Sequence, residues 1–115
     1  MVTKNTKVVN INKKSLNEQG YEDLEQWLKQ EDHVYIGRAV RYVSGARQSK
    51  WANPFSKSKY GRDGCIDRYA DYIQTRLDLL DQLEELRGKV LGCWCKPERC
   101  HGDVLMELLG REKIE

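Results

Sequence analysis

The sequence predicts an α/β domain, a single small one in which helices pack on a short sheet. Short β-branched runs alternate along the chain with stretches whose apolar residues recur every three or four positions, the pattern of strands interleaved with amphipathic helices. The length of 115 residues suits one domain and excludes two. With 39% hydrophobic and 33% charged residues, the chain is too apolar for a disordered tail and too polar for a membrane protein.

Lys7-Val8-Val9-Asn10-Ile11 is β-branched and flanked by polar residues, which predicts a first strand. Leu16, Tyr21, Leu24, Trp27 and Leu28 follow at helical spacing and predict a helix over 21–30, with Gly20 before it. His33-Val34-Tyr35-Ile36-Gly37-Arg38 predicts a second strand, followed by a long Gly/Ser-containing loop that ends at Trp51-Ala52-Asn53-Pro54-Phe55. Loops of that length in small domains are commonly functional. From Gly64, the series Cys65, Ile66, Tyr69, Tyr72, Ile73, Leu77 and Leu80 predicts a helix with a buried stripe. Leu79, Leu80, Leu83 and Leu86 extend it as a second short helix or a kinked continuation, closed by Gly88. Lys89-Val90-Leu91-Gly92-Cys93-Trp94-Cys95 reads as a central strand broken by the turn Lys96-Pro97-Glu98-Arg99. A last helix runs from Cys100 or His101 to Leu109, with Gly110 as its stop.

No run approaches the ~18 consecutive apolar residues of a membrane span, and the opening Met-Val-Thr-Lys-Asn-Thr-Lys lacks the apolar core of a secretory signal. The expectation is a non-secreted protein of the cytoplasm or nucleus, with no membrane partner. In such a compartment the four cysteines are expected reduced or metal-bound rather than paired as a disulfide framework.

The formal net charge of +2 conceals an asymmetry. Residues 34–62 hold Arg38, Arg41, Arg47, Lys50, Lys57, Lys59 and Arg62 and no acid, whereas acids outnumber bases over the other positions. Tyr35, Tyr42, Trp51, Phe55 and Tyr60 are interleaved with these cations, the composition of a surface that stacks bases and holds phosphates. The plainer reading puts the aromatics in the core and leaves the cations solvated on a loop.

The densest chemistry is Gly92-Cys93-Trp94-Cys95-Lys96-Pro97-Glu98-Arg99-Cys100-His101-Gly102-Asp103. One reading is a zinc site on Cys93, Cys95, Cys100 and His101, three thiolates and one imidazole. Its spacing is imperfect, because alternate residues on a straight strand sit about 6.6 Å apart. A second reading is an anion pocket where strand, turn and helix start meet, with Lys96 and Arg99 adding charge. A thiol there has its pKa lowered, which makes Cys95 or Cys100 a candidate nucleophile with His101 and Asp103 as acid–base or orienting groups. Cys95 paired with His101 is the more natural geometry, since adjacent side chains rarely converge. The third reading buries Cys93 and Cys95 as small apolar residues, and Cys65 with them.

Val34-Tyr35-Ile36-Gly37-Arg38, Lys50-Trp51-Ala52-Asn53-Pro54-Phe55, the helix around Arg68-Tyr69, Leu86-Arg87-Gly88-Lys89, and Cys93-Trp94-Cys95-Lys96-Pro97 continuing to Cys100-His101-Gly102-Asp103-Val104-Leu105 occur here in one order. In that order the chain resembles the family called domain of unknown function 4326, found in bacteria, phages and large DNA viruses. The resemblance spans about residues 7–11 and 34–109, and the helix at 21–30 reads as an insertion. It implies a single small α/β domain in which the basic loop and the cysteine turn belong to one design, and it implies no established reaction.

Together these features point first to a domain that binds a nucleotide or nucleic acid between the 37–62 loop and the turn at 95–103. In that reading Arg38, Lys50 and Arg99 neutralise phosphate, Trp51 or Tyr42 stacks a base, and Asn53 offers amide hydrogen bonds. The alternatives are a cysteine-dependent enzyme on a nucleotide-type substrate and a zinc-stabilised interaction protein, packaged in a virion if the viral resemblance carries that far. A homodimer through an exposed sheet edge is a further expectation.

Overall fold

Hydrophobic alternation in three short strands decides the architecture seen in a computed structural model, which describes residues 6–112. Strands β1 (Lys7–Asn10), β2 (His33–Tyr35) and β3 (Val90–Cys93) form a parallel sheet in the order β1-β3-β2. Val8 and Val34 both sit in register with Leu91. Because successive side chains point to opposite faces, Val8, Val34, Leu91 and Cys93 feed one core while Val9, Tyr35 and Val90 feed another. A sheet buried on both faces is the usual state of parallel strands.

The connections cover the two faces. From β1 the chain passes over the position of β3 through α1 (Lys13–Glu18) and α2 (Leu24–Leu28) to reach β2. It returns through α3 (Lys57–Thr75), α4 (Leu77–Leu80) and a 3-10 turn (Leu83–Leu86) to β3, then enters α5 (His101–Glu112). Right-handed crossovers that travel in opposite directions must lie on opposite faces, so one core forms under α1 and α2 and the other under α3 to α5.

The smaller core centres on Trp27, which is fully buried. Its ring fits because Gly92 has no side chain: a Cβ there would lie 2.8 Å from Trp27 Cη2 and 2.9 Å from Ile11 Cγ2. Trp51 is likewise a core residue at 2% exposure, packed on the other face with Tyr69, whose hydroxyl donates to the Trp51 carbonyl at 2.8 Å. Gly102 lets α5 approach the sheet, since a Cβ there would meet Ile36 and Val8 at 2.9 Å.

The elements differ from the sequence expectations mainly at their ends. The helix expected over 21–30 is the shorter α2, started by Asp23, whose carboxylate accepts from the Gln26 N–H at 2.8 Å. A separate helix, α1, precedes it, capped by Asn12, and Gly20 at φ 95° joins the two. The second strand stops at Tyr35, short of the predicted Arg38. Helix α3 begins at Lys57 rather than Gly64, with Ser56 as its cap and a break at Gly61, where φ is 76°. Gly110 does not stop α5, which continues to Glu112 because this glycine keeps a helical backbone. β3 ends at Cys93 instead of Cys95, and that difference shapes the site.

Candidate functional site

The carboxyl ends of β2 and β3 open into a cleft of about 450 Å³. One wall is the segment after β2, with Gly37, Arg38, Ala39 and Val40, and another is the start of α3, with Lys57, Arg62, Cys65 and Ile66. Asn53 and Phe55 close one side, and the floor is Cys93, Cys95 and His101 beside Trp94. Ligands of open parallel sheets bind outside the carboxyl ends of the strands, which is where this cleft lies. Its lining contains three cations and no Asp or Glu.

Tyr35 and Trp94 fix the two strand ends to one another. Trp94 Nε1 donates to Tyr35 Oη at 2.8 Å, and the phenol donates to the Arg38 carbonyl at 2.5 Å. Gly37 is required underneath, because a Cβ there would collide with the Tyr35 hydroxyl. Asn53 is buried and committed: its amide donates to the Cys65 carbonyl at 3.2 Å and accepts from the Phe55 N–H at 2.9 Å. It borders the cleft as a shaping residue as much as a ligand donor.

The cysteine turn does not continue the strand. The chain leaves the ladder at Cys93, and Glu98 N–H closes a turn onto the Cys95 carbonyl at 2.8 Å. Asn10 holds the turn from β1, donating to the Lys96 carbonyl at 2.5 Å. The straight-strand separation of Cys93 and Cys95 therefore does not apply: both line the cleft with His101, and Cys100 is buried beside that imidazole. All three are free, with Cys93 and Cys100 buried and Cys95 half-buried. Thiol hydrogens from Cys100 and Cys93, with Arg62 alongside, hold the Cys95 thiol far below its ordinary value. Cys100 moves the other way because its neighbours Cys93 and Cys95, together with burial, disfavour its thiolate. Only one of the three thiols is set to ionise.

His101 is also spoken for. Nε2 lies 2.7 Å from the Ile36 carbonyl, which fixes the proton on that nitrogen, and Nδ1 faces Cys100 Sγ at 3.8 Å. The partner of the imidazole is thus its chain neighbour Cys100 and not Cys95, because the helix start turns both side chains inward. Tyr69 packs edge-on against the ring at 5.0 Å between centroids. Burial lowers the His101 pKa, so the ring is neutral. Among the described residues no group of three or more His, Cys, Asp or Glu is arranged to hold a metal ion.

Several residues singled out by the sequence lie away from the cleft, each for a local reason. Asp103 caps α5, accepting from the Cys100 N–H at 3.0 Å, and binds Lys96 Nζ at 2.5 Å, so both carboxylate oxygens and the Lys96 charge are used. Gly102 N–H points at Cys100 Sγ at 3.4 Å, so the first amides of this helix are capped from within rather than left for an anion. Arg99 pairs with Asp63 at 3.1 Å and Asp67 at 2.9 Å. Lys50 pairs with Glu85 at 2.5 Å and also donates to Gln82. Trp51 is buried, and Tyr42, 93% exposed, borders a different depression beside Glu22, Asp23 and Glu25. Neither aromatic can stack a base in the cleft.

Arg38 and Asn53 thus remain from the expected ligand set, and Lys57, Arg62, Phe55 and Trp94 join them. Lys57 and Arg62 belong to the acid-free block visible in the sequence. Their place was hidden because α3 starts one turn and a kink earlier than its apolar stripe suggests.

A parallel three-stranded sheet covered on both faces, with a cationic cleft and cysteines at the strand ends, defines a small α/β domain with a cavity at its carboxyl edge. The chain belongs to the family described as Domain of unknown function (DUF4326), whose model matches residues 21–111. It is 38% identical over 85 residues to "Uncharacterized protein R718" of Acanthamoeba polyphaga mimivirus, covering 65% of this chain and 65% of that protein. It is 33% identical over 69 residues to the "Uncharacterized 12.4 kDa protein in nrdA-td intergenic region" of Enterobacteria phage T4, covering 56% of this chain and 64% of that one. The chain thus spans just under two thirds of the length of these viral and phage relatives. No solved structure matches it. No helix among the described residues is long and apolar enough to cross a membrane.

Proposed function

We propose that the protein binds a phosphate-bearing ligand, a nucleotide, in the cleft at the carboxyl edge of the sheet. The observation that carries this reading is the lining: Arg38, Lys57 and Arg62 face a shared cavity to which no acid contributes. Arg62 shares its charge with Cys95 and, at 3.7 Å, with Glu98, so Arg38 and Lys57 supply most of the field for a bound phosphate. Phosphate recognition suits such guanidinium and ammonium groups, the first by its planar fork and the second as a point charge.

The size of the cleft favours a small molecule over a long strand, since small-ligand sites run from about 300 to 1,000 Å³. Phe55 and Trp94 offer apolar walls for a base.

Calorimetric titration of the protein with nucleoside mono-, di- and triphosphates at low salt tests the reading. Binding that weakens with added salt and falls about tenfold or more in Arg38→Ala and Lys57→Ala is expected, with Lys50→Ala unchanged. Absence of binding to every nucleotide, or loss of binding in Lys50→Ala alone, overturns it.

A further inference from the structure

The cations of the cleft do not end at its rim. Lys57 lines the cavity, and beyond it on α3 both Lys59 and Arg68 stand on the ring of Tyr60, the ammonium 5.3 Å and the guanidinium 4.2 Å from its centroid. Phe55 joins the two places, since it lines the cleft and packs edge-on against Tyr60 with 5.8 Å between centroids. The arrangement follows from Gly61, whose φ of 76° breaks α3 and sets the turn 57–60 apart from the helix that carries Arg68. Lys59 and Arg68 are exposed, and among the described residues neither pairs with a carboxylate; the nearby Asp63 and Asp67 are held by Arg99 instead. A guanidinium stacked on a ring keeps its N–H edge for a phosphate and its outer plane for a base.

Cations with aromatic rings between them form the kind of surface that single-stranded nucleic acid follows, phosphates on the charges and bases on the rings. The cleft itself, at about 450 Å³, has room for one nucleotide, and Asn53 and Phe55 close one side of it. A strand fills it with a single residue, and the neighbouring residue lies outside, over Phe55 and Tyr60.

Resting on the reading that the cleft binds a nucleotide, we infer that its ligand is the phosphorylated end of a single-stranded nucleic acid. The terminal phosphate meets Arg38 and Lys57, and the terminal base lies between Phe55 and Trp94. The next nucleotide rests on the stack of Arg68 and Tyr60, with its phosphate beside Lys59.

Calorimetry of the full chain at low salt, with thymidine 5′-monophosphate and with 5′-phosphorylated oligothymidylates of two and four residues, tests the inference. The four-residue strand is expected to bind about tenfold or more tighter than the mononucleotide, and to lose about that much when its terminal phosphate is removed. In Lys59→Ala and Arg68→Ala, both exposed positions, the gain with length falls toward none, whereas Lys50→Ala keeps it. A 3′-phosphorylated strand reports which end enters, and tight binding by either supports the inference. Equal affinity for mononucleotide and strand, a gain that survives both substitutions, or a strand that binds as well without its terminal phosphate overturns the inference and leaves nucleotide binding in the cleft standing. A mononucleotide that does not bind at all removes that reading, and this one with it.

Discussion

Trp94 Nε1 donates to Tyr35 Oη at 2.8 Å and so ties the end of β3 to the end of β2, while the same phenol holds the Arg38 carbonyl. Two strand ends and one cleft cation are fixed by a single hydroxyl. Trp94→Phe keeps an aromatic ring and removes the donor, so it is expected to cost about 1 kcal/mol, a fall of about 4 °C in melting temperature. Thermal denaturation checks the cost. Tyr35→Phe should cost at least as much, since it leaves both the indole N–H and the Arg38 carbonyl without this partner.

Gly92 is needed for packing and not for backbone freedom. Gly92→Ala drives a Cβ into Trp27 and Ile11, and overpacking of this kind costs about 1–3 kcal/mol. Urea denaturation should show the loss without a change in the thiol chemistry on the opposite face of the sheet. Trp27→Ala, which empties the same core, should cost more, about 3–5 kcal/mol.

His101 makes stability depend on pH in a stated direction. Its pKa is lowered by burial, against contributions from the Ile36 carbonyl, Cys95 and Asp103 that raise it and with Arg38 adding to the depression. The unfolded chain therefore binds a proton before the native one does. The stabilisation is fully present above the unfolded value of about 6.5 and is lost as pH falls through that value toward the folded one. Denaturation midpoints measured from pH 7.5 downward should drop for the wild type and drop less for His101→Gln. An equal fall in both proteins would show that other groups carry the dependence.

The Cys95 thiol is set to ionise while Cys93 and Cys100 are held protonated. Alkylation of Cys95 should stay nearly constant between pH 8 and pH 6, where an ordinary thiol of pKa about 8.5 slows steeply. Mapping of labelled peptides across that range separates Cys95 from the others. Arg62→Ala should restore some of the ordinary pH dependence, because the guanidinium supports the thiolate.

The strands were legible because they are local patterns. Val8 and Val9 alternate between faces as their spacing demands, and Trp27 falls on the apolar side of its helix. The site was legible as a composition and not as a list. Whether a cation serves a ligand or a neighbouring acid depends on contacts far along the chain: Arg99 meets Asp63 and Asp67, and Lys50 meets Glu85. No spacing rule reports those partners. Nor does periodicity say that the chain leaves β3 at Cys93 or that His101 turns toward Cys100.

The central claim is that the cleft of Arg38, Lys57 and Arg62 holds a phosphate-bearing ligand, and amide chemical-shift mapping during titration with a nucleotide tests it most directly. The account predicts saturable shifts at Gly37 to Val40, Lys57, Arg62 and Cys95, reduced by salt, with Tyr42 and Lys50 unmoved. Shifts confined to Tyr42, Lys50 or Arg99, or none at all, would contradict it.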